Sequence, residues 1–143
     1  MVSISTDDAL LDVERIHRWL SEDAYWARGR SLRTVERSLQ HSVNVGAYDD
    51  DGGLVGFLRL VTDRATFAWV CDVYVDPAAR GRGVGKLLMA EADRLLTSYG
   101  VRRAMLATAD AHGLYARYGF APADVPDRHM FLDRDPAELW GEA

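Results

Sequence analysis

The sequence predicts an α+β fold, a mixed α/β sandwich in which helices flank one central, mostly antiparallel sheet. Three observations support this prediction: helical patterns come first, short strand-like runs follow, and helices then alternate with strands. Chains with this order of elements pack their helices on a single sheet. The 143 residues suit one domain over 1–143, because a chain of this length can bury about 70% of its surface.

Two helices are predicted in the first forty residues. From Thr6 to Leu20, apolar side chains recur every three or four positions, and Thr6 or Asp7 is placed to cap the helix. A second helix is expected from about Ser31 to His41. The loop between them contains Tyr25 and Trp26.

Three strands are expected next. The runs "VNVGAY", "LVGFLRLVT" and "FAWVCDVYV" are rich in β-branched and aromatic residues, and the turn sequences "DDDGG" and "TDRAT" separate them. Such short connections join antiparallel neighbours, so the three strands should form a meander.

The second half of the chain should alternate helix and strand. Apolar residues from Val84 to Tyr99 repeat with helical spacing, and Gly100 suits the helix end. We then expect a strand at "RRAMLAT", a short helix at "AHGLYARYG", a last strand at "HMFLD" and a polar tail over about 134–143.

Composition excludes several classes of protein. Cys71 is the only cysteine, which rules out a disulfide framework or a cysteine-rich zinc site within one chain, and no metal-ligand spacing is present. The net charge of -5 argues against binding to nucleic acid. No apolar run approaches the roughly 20 residues that span a membrane, and the N-terminus lacks a signal-peptide layout. A cytoplasmic protein is therefore expected.

The stretch "RGRGVGK", residues 80–86, places glycines between basic side chains. A nucleotide-binding P-loop needs a glycine at Arg80 and a hydroxyl at Leu87, and a dinucleotide fingerprint needs a glycine at Lys86. The stretch lacks these residues and therefore matches neither motif. It is still a strand, a turn and a helix N-terminus, and the free N–H groups and the dipole of a helix N-terminus attract an anion.

The longer stretch "VYVDPAARGRGVGKLLMAEADRLL" resembles the acetyl-CoA-binding motif of the GNAT superfamily of N-acetyltransferases. Arg80, Gly83 and Gly85 match its pattern, and "AHGLYARYGF" is similar to the second signature of the family. The resemblance extends over about residues 5–133 and implies a GNAT-like single domain that uses acetyl-CoA as co-substrate and no metal.

The resemblance also implies which residues bind the cofactor. The backbone of Val73, Tyr74 and Val75 would pair with the pantetheine amides, and the Val73 N–H would polarise the thioester carbonyl. Thr108 stands where many members have an asparagine that contacts the pantetheine. Lys86 would lie near the phosphate-rich end of the cofactor. The diphosphate would be covered by Arg80, Gly81, Arg82, Gly83, Val84 and Gly85.

The chemistry implied is direct attack of a primary amine on the acetyl carbonyl in a ternary complex. Tyr115 matches the tyrosine that serves the family as general acid. The identity of the general base is left open, because the position of the glutamate that many members use falls at or near Trp69. Asp72 is a candidate base or substrate anchor, or else a structural carboxylate. His112 is a weaker candidate for the base.

The acceptor is less defined. Tyr25 and Trp26 are candidate substrate-binding residues for a small-molecule or peptide amine, because aromatic faces attract ammonium groups. Dimers are common in the family, which makes a homodimer an expectation. The alternative is a non-catalytic acyl-CoA-binding or sensory domain that kept the cofactor loop.

Overall fold

The computed structural model describes residues 1–123 and 128–140. Its sheet has five strands in the order β1-β2-β3-β4-β5; the first three pairings are antiparallel and the last is parallel. This confirms the predicted mixed, mostly antiparallel sheet. The strands are β1 Ser3–Ser5, β2 Val43–Tyr48, β3 Leu54–Thr62, β4 Phe67–Val75 and β5 Arg103–Met105.

In the described ranges, five α-helices accompany the sheet: α1 Val13–Arg18, α2 Leu32–Gln40, α3 Val84–Tyr99, α4 His112–Ala116 and α5 Pro136–Trp140. Short 3-10 turns cover Asp8–Leu10 and Pro77–Ala79, and a π-helical turn, Trp19–Asp23, extends α1. None of the helices in the described ranges is long and apolar enough to cross a membrane.

The N-terminal region differs from the prediction in two ways. Residues Ser3–Ser5 form an edge strand on β2 that we did not expect, because a run of three residues with a single apolar side chain, Ile4, is too short to give a strand signal of its own. The predicted helix is divided, because the Asp7 side chain caps a 3-10 turn and the Asp12 side chain then caps α1. Each cap satisfies the free N–H groups of a new helical start.

The C-terminal prediction was wrong at the last strand. Residues 129–133 form no strand and are exposed, because a strand needs a neighbour to satisfy its backbone groups. The expected polar tail instead contains α5, and its last three residues lie outside the described part of the chain. The strand expected at "RRAMLAT" is shortened to Arg103–Met105.

The sheet separates two apolar clusters. The side that carries α3 packs residues such as Val45, Leu58 and Leu88. The opposite side packs Ile16 and Phe57, with other residues of α1 and α2. Side chains that alternate along β3 supply both clusters, as a two-sided sheet requires.

Candidate active site

The strands β4 and β5 pair over a short length only. The pairs are Phe67 with Arg103, Ala68 with Ala104, and Trp69 with Met105. Beyond Trp69, β4 continues to Val75 with no strand of the described residues on that side. This unpaired part of the β4 edge is a gap in the pairing of the sheet, and such an edge offers backbone donors and acceptors to an extended ligand.

A β-bulge reshapes β4 beside this gap. Phe57 pairs with Tyr74 and Arg59 with Cys71, so that two residues of β4, Asp72 and Val73, oppose one residue of β3. Asp72 has a φ of 53°, which is uncommon for a residue other than glycine.

The bulge decides which face each β4 side chain uses. Val70 belongs to the cluster on the α3 side, whereas Asp72 contacts the loop between α1 and α2. Strict alternation from Val70 would place both on one face. The extra residue reverses this, and Val73 and Val75 pack on the α3 side. Asp72 therefore lies on the face of the sheet opposite these two valines.

The glycine loop follows β4 directly. Asp76 caps the turn Pro77–Ala79, and Gly81 and Gly83 then adopt φ values of 82° and 77°, which favour glycine. Gly83 is the N-cap of α3 and has no side chain to accept a hydrogen bond. The first backbone N–H groups of the helix are therefore not bound by a capping side chain. The loop borders a depression of about 200 Å³ lined by Val75, Ala79, Arg80, Gly81, Gly83, Val84, Gly85, Lys86 and Leu114.

Gly56 on β3 brings the start of α3 close to the sheet. A Cβ atom at this position would lie 2.7 Å from Cγ1 of Val84. The absence of a side chain at Gly56 therefore sets how near α3 approaches the end of β4.

The basic residues of the loop differ in their partners. Arg80 donates from Nε to the carbonyl oxygen of Val75 at 3.1 Å, and its Nη2 lies 4.0 Å from Asp23. Arg82 forms two hydrogen bonds to Asp49, of 3.1 and 3.3 Å. Among the described residues, Lys86 has no ion-pair partner. Lys86 is therefore the basic side chain of this loop that is not held by a protein acid.

Helix α4 connects the second motif to this loop. The side chain of Leu114 lines the depression, and the Tyr118 hydroxyl donates to the carbonyl oxygen of Lys86 at 2.9 Å. The two motifs therefore form one surface, although 32 residues separate Lys86 from Tyr118.

Tyr115 is buried on α4, with its ring edge-on to Phe120 at 6.3 Å between centroids. Burial raises the pKa of its hydroxyl, and Asp110 and Tyr25 raise it further. The hydroxyl therefore keeps its proton at neutral pH, as a proton donor must.

Thr108 lies in the segment that leads to α4. Its hydroxyl oxygen accepts hydrogen bonds from the backbone N–H groups of Ala111, at 3.0 Å, and Asp110, at 3.4 Å. This hydroxyl therefore stabilises the start of α4, and its own proton can still be donated to a ligand.

Asp72 is buried and accepts hydrogen bonds from three residues. Its carboxylate lies 2.9 Å from Nε1 of Trp26, 2.8 Å from Nη1 of Arg30 and 3.0 Å from Nε of Arg59. Burial pushes the pKa of Asp72 upward, but Arg59, Arg30 and the bond from Trp26 outweigh burial and lower it. A carboxylate held in this way is poorly suited to accept a proton from an amine.

The loop between α1 and α2 presents two aromatic rings. Trp26 is 40% exposed although its indole N–H is bound to Asp72, and Tyr25 is 57% exposed. The rings meet edge to face at 5.0 Å between centroids. Tyr25 also contributes to the raised pKa of Tyr115 on α4.

Sequence reasoning missed several partners of these residues. The Tyr74 hydroxyl donates to Asp23, and burial together with this bond raises its pKa to about 12. Asp49 holds Arg82, and two arginines hold Asp72. Most of these pairs join residues far apart in the chain, so local pattern gave no signal for them. Within residues 1–123 and 128–140, no cluster of side chains could hold a metal ion.

Comparison with known proteins connects this geometry to one family. The profile described as "Acetyltransferase (GNAT) family" matches residues 13–120. A crystal structure of an acetyltransferase assigned to that family, from Xanthomonas campestris pv. campestris, is 45% identical, with a TM-score of 0.89 over 99% of this chain and 97% of that one.

Three more distant relatives agree. The GNAT family protein SP0256 from Streptococcus pneumoniae is 26% identical, with a TM-score of 0.72 over 94% of this chain and 98% of that one. An acetyltransferase of Gibberella zeae is 29% identical over 80% of this chain and 75% of its own length. The chain spans only half the length of a similar N-acetyltransferase of Prochlorococcus marinus, to which it is 34% identical over 61% of this chain.

Proposed function

Because the chain belongs to the GNAT family of acetyltransferases, we propose that it transfers the acetyl group of acetyl-CoA to a primary amine by direct attack in a ternary complex. One observation carries this proposal: the open edge of β4 leads straight into a glycine loop at the N-terminus of α3. An extended arm with a diphosphate at its end fits these two features together.

The residues present suit coenzyme A. The edge at Val73–Val75 would pair with the amides of the pantetheine arm, while the free N–H groups at the start of α3 would hold the diphosphate. Gly81 and Gly83 allow the phosphates to approach the main chain. Lys86, which has no ion-pair partner among the described residues, supplies the positive charge, while Arg80 and Arg82 shape the loop through Asp23 and Asp49.

The reaction forms one bond and breaks one. The neutral amine attacks the acetyl carbonyl carbon, the carbon–sulfur bond breaks, and the sulfur takes a proton from the Tyr115 hydroxyl to leave as the thiol. The Val73 N–H stabilises the negative charge that develops on the carbonyl oxygen. The amine nitrogen gives up one proton to solvent in the cleft, and a proton taken back from that solvent restores the Tyr115 hydroxyl.

Asp72 serves as an anchor in this scheme. Its three partners include Trp26 and Arg30 of the loop between α1 and α2. By holding Trp26, Asp72 orients one aromatic wall of the acceptor site, and Tyr25 forms the other. Aromatic faces attract ammonium groups, which suits an amine acceptor.

Thiol release tests the proposal. The protein is mixed with acetyl-CoA and a panel of amino acids, polyamines and peptides, and free coenzyme A is followed over time. We expect release that depends on both the protein and one amine class, and that Tyr115→Phe strongly reduces. Calorimetric binding of acetyl-CoA with no turnover on any amine would instead favour the non-catalytic acyl-CoA-binding domain, and no binding would contradict both.

A further inference from the structure

Asp23, at the end of the π-helical turn, is held in place by a tyrosine of β4. The ring of Tyr74 stacks on Trp19 at 5.1 Å between centroids, and the Tyr74 hydroxyl donates to Oδ2 of Asp23. Trp19 packs with the cluster of α1 and α2, so Tyr74 extends from β4 on the same face as Asp72. The carboxylate of Asp23 is therefore fixed on this face, above the end of the strand.

This carboxylate has binding capacity left. The Asp23 side chain is 59% exposed, and no described residue donates a hydrogen bond to its Oδ1. Arg80 is the one cation of the described residues near it, with Nη2 at 4.0 Å, and the Nε of Arg80 is bound to the carbonyl oxygen of Val75 instead. An exposed ion pair of this length contributes little. Unlike Asp72, Asp23 can therefore accept a cation from outside the chain.

The two residues beside Val73 each hold one residue of the segment that follows α1. Asp72 binds Trp26, and Tyr74 binds Asp23. In the proposed reaction the Val73 N–H marks the position of the acetyl carbonyl. The length of the tyrosine side chain separates the Asp23 carboxylate from the β4 backbone at that position. The carboxylate is therefore placed for a group further along the acceptor and not for the nitrogen that attacks.

We propose that Asp23 binds a second cationic group of the acceptor, so that the preferred acceptor is a primary amine with another ammonium group a few methylene groups away. The inference rests on the acetyl transfer proposed above. The primary amine attacks the acetyl carbonyl, while the second ammonium group keeps its proton and donates it in a charge-assisted hydrogen bond to Asp23. The exposed rings of Tyr25 and Trp26, two and three positions further along the chain, add aromatic faces that attract an ammonium group.

Three acceptors of similar length test the substrate class. Putrescine carries the second ammonium group, butylamine lacks it, and γ-aminobutyrate has a carboxylate in its place. At saturating acetyl-CoA, release of free coenzyme A gives kcat/KM for each. We expect putrescine to exceed butylamine by about tenfold, the contribution of one hydrogen bond between charged groups, and γ-aminobutyrate to be the poorest.

The outcomes separate this inference from the proposed function. A preference for putrescine no larger than its two equivalent amino groups explain, or a preference for either of the other acceptors, overturns the role of Asp23 and leaves acetyl transfer standing. No release of coenzyme A with any amine of the wider panel overturns both.

A matched pair of variants tests the residue. Asp23→Asn keeps an acceptor for the Tyr74 hydroxyl and removes the charge, and we expect most of the preference for putrescine over butylamine to be lost. A disturbance of the cofactor loop through Arg80 would slow both acceptors alike and leave their ratio unchanged. Glu22→Gln removes the neighbouring exposed charge and should keep the ratio of the wild type. An unchanged ratio in Asp23→Asn, or an equal fall in Glu22→Gln, overturns the inference.

Discussion

Nη1 of Arg30 donates to the carboxylate of Asp72 at 2.8 Å, and this bond joins the loop between α1 and α2 to the bulge in β4. The side chains of Arg30 and Asp72 are only 12% and 2% exposed. The loop and the bulge are therefore held together by a buried ion pair between residues 42 positions apart.

Removal of the Asp72 charge should destabilise the fold. Asp72→Asn keeps the side-chain size but leaves the charges of Arg30 and Arg59 without their partner. We expect a loss of about 3 kcal/mol in the free energy of unfolding, the magnitude typical of a broken buried pair. Urea unfolding measures it. Asp93→Asn, at an exposed position on α3, is the matched control, and equal losses in both variants would contradict the role of Asp72.

The stabilising effect of Asp72 should depend on pH. Its pKa in the folded state is below the ordinary value of 3.8, so the folded protein binds the proton less readily than the unfolded chain. The stabilisation is fully present above about pH 4 and is lost as the pH falls through the folded-state pKa. The difference in unfolding free energy between the wild type and Asp72→Asn should therefore be constant near neutral pH and shrink in acid. A difference that grows in acid would contradict this sign.

Gly56→Ala should disturb the cofactor loop. The added methyl group would overlap Val84, which forces the start of α3 away from β3. Overpacking of this kind costs about 2 kcal/mol, and thermal unfolding measures it. Gly113→Ala on α4, where a Cβ atom meets nothing within 4 Å, should be neutral or slightly stabilising. Acetyl-CoA affinity should fall in the first variant only.

Tyr115→Phe should slow catalysis with little change in binding. The phenylalanine ring preserves the packing against Phe120, but the proton donor is lost. We expect kcat to fall about a hundredfold, in the range of general acid catalysis, while calorimetry shows nearly the same affinity for acetyl-CoA. Tyr118→Phe, which loses the bond to the Lys86 carbonyl instead, is the comparison. An unchanged kcat in Tyr115→Phe would remove this residue from the mechanism.

Lys86→Gln should weaken cofactor binding more than it affects chemistry. A hydrogen bond to a charged group contributes about 1.5 kcal/mol or more, which corresponds to about tenfold in affinity. The Kd for acetyl-CoA measured by calorimetry should rise by about this factor, while kcat at saturating acetyl-CoA stays close to wild type. Arg37→Gln, an exposed position on α2, should change neither. A rise in Kd in both variants would indicate a general charge effect.

Local pattern was sufficient for much of this protein. The meander β2–β4, the helix α3 and the glycine loop are recognisable because helix periodicity, strand composition and turn residues act over a few positions. The two motifs were also readable in this way, and with them the family and the resemblance to an acetyl-CoA site.

Packing between distant segments decided the rest. The bulge that turns Asp72 toward Trp26, the ion pairs at Arg82 and Arg30, and the end of the β4–β5 pairing at Trp69 all join residues that are remote in the chain. The same is true of "HMFLD", which has the composition of a strand but pairs with no strand in the described part of the chain. A backbone edge or a buried charge is stable only where a partner completes it, and no short stretch of sequence records where that partner will be.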